Sequence, residues 1–168
     1  MRSRVFACLA LALATTVGSM SAQAPGSPHD TVSATVDGVK VSIEYGRPFM
    51  RGRKIVGGLV PYGRVWRTGA DQSTTLTTAA PLVIGGTAVP AGKVSLYTLP
   101  SPQGWKLIIN KQTGQWGTEY DQAQDLARVD LIVKTLAAPV DQFTIEIDGG
   151  QIRLAWEMTE LAVPIKKG

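Results

Sequence analysis

The sequence predicts an all-β domain, built as an antiparallel two-sheet β-sandwich. Short stretches of alternating apolar and polar residues recur along the chain, and a period of two is typical of half-buried strands. Pairs such as Asp37-Gly38, Gly85-Gly86 and Gly149-Gly150 separate several of these stretches and favour tight hairpin turns. No long segment has the periodicity of an amphipathic helix. About ten short strands joined by turns therefore favour a sandwich, with jelly-roll and immunoglobulin-like topologies both open.

The first 22 residues have the pattern of a secretory signal peptide. Arg2 and Arg4 precede an apolar run over residues 5–17, and small residues follow it, which is the order typical of such peptides. The apolar run is shorter than the roughly 20 residues that span a bilayer. We therefore predict a signal peptide over residues 1–22, export to the periplasm or cell surface, and no stable membrane anchor after processing.

The remaining chain is predicted to be a single domain without cysteine. Cys8, the one cysteine, lies inside the apolar run, so processing removes it and leaves no disulfide. Residues 23–30 are rich in Pro, Gly and Ser and are predicted to be a flexible leader. Residues 31–168 then form one domain, which is long enough to bury a core without crosslinks.

Strand patterns can be assigned in order along this domain. Strands at 31–36 and 39–45 flank the Asp37-Gly38 turn. Pro139 is expected to end a strand, and Pro164 indicates that the last strand lies at a sheet edge. Residues 119–127 contain helix formers but few apolar positions, so they are predicted to be a loop or a single helical turn. The other predicted strands cover residues 73–78, 82–84, 87–89, 94–99, 105–110, 128–136, 142–148, 151–158 and 161–165.

A basic loop, residues 47–71, interrupts the strand pattern. Its five glycines and two prolines exclude a long regular element, and loops held on rigid scaffolds often carry binding groups. The chain has 17 Lys and Arg against 13 acids, and loss of Arg2 and Arg4 leaves 15 against 13. Six of these 15 lie in the loop before Asp71, so a positive loop is predicted on a mildly acidic body. They are Arg47, Arg51, Arg53, Lys54, Arg64 and Arg67.

Several classes of function are disfavoured by the residues present. A nucleic-acid binder usually spreads its basic residues along a face with aromatic groups between them, and export also argues against that class. His29, the one histidine, falls in the predicted leader, where it is expected to be a solvated tail residue, so Ser-His-Asp and Cys-His mechanisms are disfavoured. Asp121 and Asp125 lack calcium-loop spacing. We therefore predict no metal and no cofactor.

The basic loop is the candidate site. Arginine binds carboxylate or phosphate through two parallel hydrogen bonds, so several arginines beside an aromatic ring would form a pocket for a small anionic or carbohydrate-like ligand. Trp105 and Trp156 are expected in the core, whereas Trp116 is expected either to stack on a ligand or to cover the core. The predicted ligand-binding residues are Arg47, Arg51, Arg53, Arg64, Trp66, Arg67 and Asp71.

Other interpretations of the loop remain open. In one interpretation, Arg64 or Arg67 pairs with Asp71 and fixes the loop, while the other cations face water. An undescribed hydrolase or lyase would use Asp71 with Arg64 or Arg67. A structural envelope or interaction module would need no site. We predict non-covalent binding rather than catalysis.

Three blocks of the sequence resemble a known family. The blocks are RPFMRGRKIVGGLVPYGRVWRTGADQSTTL, VPAGKVSLYTLP and GWKLIINKQTGQWGTEYDQAQDLARV, and they are similar to successive blocks of the bacterial family catalogued as domain of unknown function 2911. The resemblance covers about residues 31–165, and blocks this long in this order are specific. It implies a small exported protein and supplies no activity, substrate or cofactor.

Overall fold

A computed structural model describes residues 26–168 and confirms the all-β class. The predicted signal peptide, Cys8 and residues 23–25 of the predicted leader lie outside these residues. Between residues 26 and 168 no helix is long and apolar enough to cross a membrane. The described chain forms nine strands and one turn of 3-10 helix (Gln122–Gln124). The strands are β1 (His29–Val36), β2 (Val39–Gly46), β3 (Thr74–Thr78), β4 (Leu82–Ile84), β5 (Thr87–Val89), β6 (Gly92–Leu99), β7 (Trp105–Asn110), β8 (Asp125–Asp148) and β9 (Gln151–Lys167).

The nine strands form one antiparallel sheet, in the order β1-β2-β3-β6-β7-β8-β9-β4-β5. The predicted division into two sheets is not confirmed, because hydrogen-bonded ladders link every strand to the next. β8 makes this continuity possible through its length. Its first part, residues 125–131, pairs with β7, and residues 132–148 pair with β9.

β8 and β9 are longer than the sequence predicts. The predicted strand end at Pro139 is wrong, because β8 runs through this residue while its register with β9 slips between Thr135 and Val140. A bulge leaves residues unpaired, so a proline without an N–H does not end the ladder there. The prediction that Pro164 marks an edge strand is also wrong. Pro164 lies between the ladder to β8, which ends at Ala162, and the ladder to β4, which starts at Ile165.

The far end of the β8–β9 hairpin folds back over the sheet. The backbone N–H of Ile165 donates to the carbonyl of Gly150 at 2.8 Å, and that of Phe143 donates to the carbonyl of Pro48 at 2.9 Å. The Tyr45 hydroxyl accepts from the N–H of Ile145 at 2.9 Å. The buried residues on the inner faces of β2, β3, β6 and β7 thereby pack against those of the bent hairpin.

Several local predictions are confirmed. Asp37 and Gly38 have φ values of 47° and 80°, as a two-residue turn with positive φ at both positions requires. β4, β5 and β7 begin and end where the sequence predicts, and the short helix at 122–124 is the predicted single turn. β1 starts at His29, so the last two residues of the predicted leader belong to the sheet.

Candidate functional site

A cavity of about 520 Å³, here the first cavity, opens beside the basic loop. It lies where the loop meets the start of the described chain, β6, β9 and the segment after Trp116. Its lining combines arginine, aromatic and glycine residues with one carboxylate. The lining residues are Gly26, Ser27, Pro48, Phe49, Arg51, Arg53, Leu59, Val65, Trp66, Arg67, Gly69, Ala70, Asp71, Tyr97, Gly117, Thr118, Tyr120 and Trp156.

Three arginines, Arg51, Arg53 and Arg67, line the first cavity. The Arg53 Nε donates to the carbonyl of Met50 at 3.0 Å, and its Nη2 donates to that of Phe49 at 2.9 Å. The Arg67 Nε donates to the carbonyl of Gly69 at 3.4 Å. These carbonyls orient the Arg53 and Arg67 guanidinium groups without neutralising their charge. A cluster of such charges in a concave surface raises the local concentration of anions.

Trp66 is fixed in the aromatic wall of the first cavity. Its ring stacks on Trp156 with 5.6 Å between centroids and an angle of 20°. It meets Phe143 edge-to-face at 5.1 Å. Its backbone exchanges two hydrogen bonds with Thr98, at 2.8 and 2.9 Å. The ring is therefore held in place before any ligand arrives.

Tyr97 and Tyr120 form a second aromatic side, with ring centroids 4.9 Å apart. The Tyr120 hydroxyl donates to Asp125 Oδ2 at 2.7 Å and accepts from Arg128 Nη2 at 2.8 Å. Burial, followed by the bond to Asp125, raises the pKa of Tyr120 to about 12. Burial also raises the pKa of Tyr97, whose hydroxyl accepts from Gln115 Nε2 at 2.9 Å. Both hydroxyls therefore stay protonated near neutral pH.

Two of the predicted site residues lie outside the first cavity. Arg47 is tied to the fold: its Nε donates to the carbonyl of Phe143 at 3.1 Å, its Nη2 to Thr144 Oγ1 at 2.9 Å and its Nη1 to Asp30 at 3.0 Å. Arg64 is exposed and is absent from the cavity lining. The cavity lining therefore brings together the other five predicted residues, which are Arg51, Arg53, Trp66, Arg67 and Asp71.

Asp71 pairs with His29 rather than with an arginine. The His29 Nε2 lies 3.0 Å from Asp71 Oδ2. The predicted pairing of Asp71 with Arg64 or Arg67 is therefore wrong. The turn at Gly69 directs the Arg67 Nε to a backbone carbonyl instead. His29 is exposed, as predicted, but it belongs to β1 rather than to a flexible tail.

Gly117 allows Arg67 and Asp71 to approach the same segment. A Cβ added at Gly117 would lie 2.6 Å from the Cδ of Arg67 and 2.7 Å from the carbonyl oxygen of Asp71. The Gly117 N–H donates to that oxygen at 2.8 Å. The Arg67 side chain thus lies against a position where only glycine leaves room for it.

Sequence reasoning missed Tyr97, Tyr120, Gly117 and the second role of Trp156. The prediction that Trp156 lies in the core is confirmed, since it is buried, and it also lines the first cavity. These residues come from strands and loops that are distant in the sequence. Their local patterns indicate burial or a turn, and only the sheet order places them beside the basic loop.

The fold and the first cavity define an all-β protein with an arginine-lined, aromatic-walled cavity. The chain belongs to the family described as "Protein of unknown function (DUF2911)", whose model matches residues 27–165. This match confirms the resemblance found in the sequence. No curated protein and no solved structure matches the chain. Within residues 26–168, no group of three or more His, Cys, Asp or Glu residues is placed to hold a metal ion.

Proposed function

We propose that this protein binds a small anionic, carbohydrate-like ligand in the first cavity, and that a sugar acid is the class of ligand that fits best. The observation that carries this proposal is the convergence of Arg51, Arg53 and Arg67 with the fixed ring of Trp66 on one cavity. Arginine pairs with a carboxylate through two parallel hydrogen bonds. An aromatic face suits the apolar face of a sugar ring.

The size of the first cavity supports a ligand of one or two sugar units. Pockets for small ligands usually enclose about 300 to 1,000 Å³, and this cavity of about 520 Å³ falls in that range. Thr118 and Tyr120 line it as well. The Thr118 hydroxyl is a possible hydrogen-bond partner for a sugar hydroxyl, and the Tyr120 hydroxyl has one further acceptor position beside its bonds to Asp125 and Arg128.

Binding is favoured over the hydrolase or lyase alternative. Glycoside hydrolysis commonly needs two carboxyl groups that flank the bond, and Asp71 is the one acid among the lining residues described. Its carboxylate already interacts with His29, and Arg64 lies outside the cavity lining. We propose that the protein holds its ligand without changing it, and that it does so after export to the periplasm or cell surface.

Calorimetry with glucuronic acid and glucose, which differ by one carboxylate, tests this function. The wild-type protein should bind glucuronic acid and be stabilised by it, by about 2.7 kcal/mol at a ligand concentration 100 times Kd. Arg53→Ala and Arg67→Ala should each lower the affinity about tenfold or more, because each loses a charge-assisted contact. Arg64→Ala is the matched control, since it removes an arginine of the same loop outside the cavity.

Three outcomes would contradict the proposal. One is that no sugar acid, simple carboxylate, phosphate or sulfate stabilises the wild-type protein in a broad thermal-shift screen. Another is that Arg64→Ala lowers the affinity as much as Arg67→Ala does. The third is release of new reducing ends from a saccharide probe, which would instead favour the hydrolase alternative.

A further inference from the structure

A second cavity, of about 730 Å³, lies beside the first. It borders the start of β1, the end of β2, the start of β3 and of β6, and the loop after β7. Its lining is rich in hydroxyl and carboxylate groups and contains one lysine. The lining residues are His29, Asp30, Thr31, Glu44, Tyr45, Gly46, Gln72, Ser73, Thr75, Lys93, Thr113 and Gly114.

A narrow divider, formed by residues 71–73 and 115–117 together with His29, separates the two cavities. The two segments pair like short strands: the Gly117 N–H donates to the carbonyl of Asp71 at 2.8 Å, and the Ser73 N–H donates to that of Gln115 at 3.1 Å. His29 lines the second cavity, whereas its partner Asp71 lines the first. The 3.0 Å contact between these two side chains is therefore a wall that both cavities share.

The two cavities differ in charge. The first cavity has three arginines and one carboxylate. The second cavity has the carboxylates of Asp30 and Glu44 and one lysine, Lys93. Asp30 is paired with Arg47, so the second cavity lacks the positive excess of the first. Thr31, Glu44 and Thr75 occupy paired positions on three neighbouring strands, so their side chains form one polar row. Such a surface offers many hydrogen-bond partners to hydroxyl groups and lacks the cluster of positive charge that would attract a second anion.

Trp116 stands on the divider between the two cavities. Its indole is 44% exposed, whereas the neighbouring Gln115 is buried and bonded to Tyr97. The backbone of Trp116 bridges to Gln72. The partial exposure of Trp116 leaves one part of the residue accessible and covers the other, so both predicted roles, a stacking platform and a cover for the core, remain predictions. The accessible part is an aromatic surface held on a paired backbone, and a stacking platform requires such a surface.

We propose that the two cavities and Trp116 bind one extended acidic oligosaccharide. The acidic sugar lies in the first cavity, the next unit stacks on Trp116, and neutral sugars continue into the second cavity. This inference rests on the proposed function, because the first cavity must bind the acidic unit. It adds the ligand's length, its direction across the divider and the neutral character of its remaining units.

Calorimetry with a series of probes of increasing length tests this inference. The probes are glucuronic acid alone, glucuronic acid linked to one, two or three xylose units, and neutral xylotetraose. Affinity for the wild-type protein should rise about tenfold or more from glucuronic acid to the longest probe, since stacking and further hydrogen bonds add to the acid contact. Xylotetraose should bind more weakly than the acidic probe of the same length.

Variants of the divider and of the second cavity show which residues cause the rise in affinity with probe length. Trp116→Ala should reduce the affinity for the longest probe toward that for glucuronic acid, and Trp116→Phe should recover part of the loss. Glu44→Ala should reduce affinity for the longest probe as well. Tyr62→Ala is the matched control, because Tyr62 is equally exposed, at 45%, and lies outside the divider. Thermal unfolding of each variant confirms that it folds.

The outcomes separate the two proposals. Equal affinity at all lengths, or full affinity in a folded Trp116→Ala protein, would overturn the extended ligand while the binding of glucuronic acid supports the first cavity. A lack of binding by every acidic probe would overturn the proposed function and, with it, this inference. Tighter binding of xylotetraose than of the acidic probes would contradict the proposal that the ligand has an acidic unit in the first cavity.

Discussion

Arg47 is a basic residue of the loop, and its side chain stabilises the fold rather than lining the first cavity. Its guanidinium joins three separate positions, the carbonyl of Phe143, the hydroxyl of Thr144 and the carboxylate of Asp30. It also lies 6.0 Å from the ring centre of Tyr45. These contacts connect the start of the loop to both β1 and the folded-back part of β8.

Arg47→Ala should therefore destabilise the protein. We expect the free energy of unfolding to fall by about 1 to 3 kcal/mol, because the change leaves partly buried acceptors without their charged donor. Arg64→Ala, an exposed change in the same loop, should stay within about 0.5 kcal/mol of the wild type. Urea unfolding measures both. Equal stability of the Arg47 and Arg64 variants would show that Arg47 does not hold the loop to β8.

Tyr120 should make the fold sensitive to alkaline pH. Its pKa is about 12 in the folded protein and about 10 in an unfolded chain. A raised folded pKa contributes stability that is complete below pH 10 and is lost as pH rises toward 12. Unfolding by urea at pH 9 to 12 should show this decrease, and Tyr120→Phe should flatten it. An unchanged slope in Tyr120→Phe would assign the effect to Tyr45 and Tyr97, whose pKa values burial also raises.

Local sequence could predict only part of the site. Arg51, Arg53, Trp66 and Arg67 lie in one loop, so their clustering follows from residue type and spacing. The contact between His29 and Asp71 joins positions 42 residues apart, and no local pattern indicates it. The same holds for Tyr120 and Trp156, which reach the cavity through strand pairing that the sequence does not specify.

At the scale of elements, the bend in β9 supports the basic loop. Glu157 has a φ of 53° at this bend, and its carboxylate accepts from the backbone N–H of Ile55 at 3.3 Å and of Val56 at 3.0 Å. A bend in the sheet thus presents one side chain to two backbone donors of the loop. The loop has no strand of its own over residues 50–71, so such side-chain contacts hold it in place.

Replacement of Glu157 should loosen the loop. Glu157→Ala leaves two partly buried N–H groups without an acceptor, and we expect it to cost about 1 to 3 kcal/mol of unfolding free energy. Glu157→Gln keeps one acceptor and should cost less. Hydrogen exchange of the Ile55 and Val56 amides should accelerate in Glu157→Ala. Unchanged exchange at these two amides would show that the carboxylate does not hold the loop.

Short strands were predictable and the two long ones were not. β4, β5 and β7 follow directly from alternation between turn pairs. β8 and β9 continue through Pro139 and Pro164, because bulges and changes of partner strand absorb the missing N–H groups. Proline ends a regular ladder but not a bulged one, and sequence alone does not show where a ladder slips.

At the scale of the whole molecule, a single sheet with a folded-back hairpin places two cavities side by side. Three arginines of the loop line the first cavity, whereas the second has Asp30 and Glu44 with Lys93. Asp30 is also paired with Arg47. The excess of positive side chains therefore lies at one of the two neighbouring cavities. This arrangement suits one ligand that is acidic at one end only.

Export and processing should leave a protein that folds without crosslinks or metals. Mass spectrometry of the protein from its native host should show loss of about the first 22 residues, as expected for a signal peptide of this pattern. Thermal unfolding of the processed protein should be unchanged by a reductant, because Cys8 leaves with the peptide. It should also be unchanged by a chelator, because no group of three or more His, Cys, Asp or Glu within residues 26–168 is placed to hold a metal ion. Retention of Met1 would contradict export by this route. A large drop in Tm with chelator would show that a metal supports the fold.

A crystal structure with glucuronic acid, grown without phosphate or sulfate, tests anion binding in the first cavity most directly. We predict electron density for the sugar against Trp66, with its carboxylate within hydrogen-bond distance of Arg67, Arg51 or Arg53. The same soak of Arg67→Ala crystals should give weaker density. Sugar density elsewhere on the surface, or a first cavity filled only by water at saturating glucuronic acid, would contradict the assignment of this cavity as the binding site.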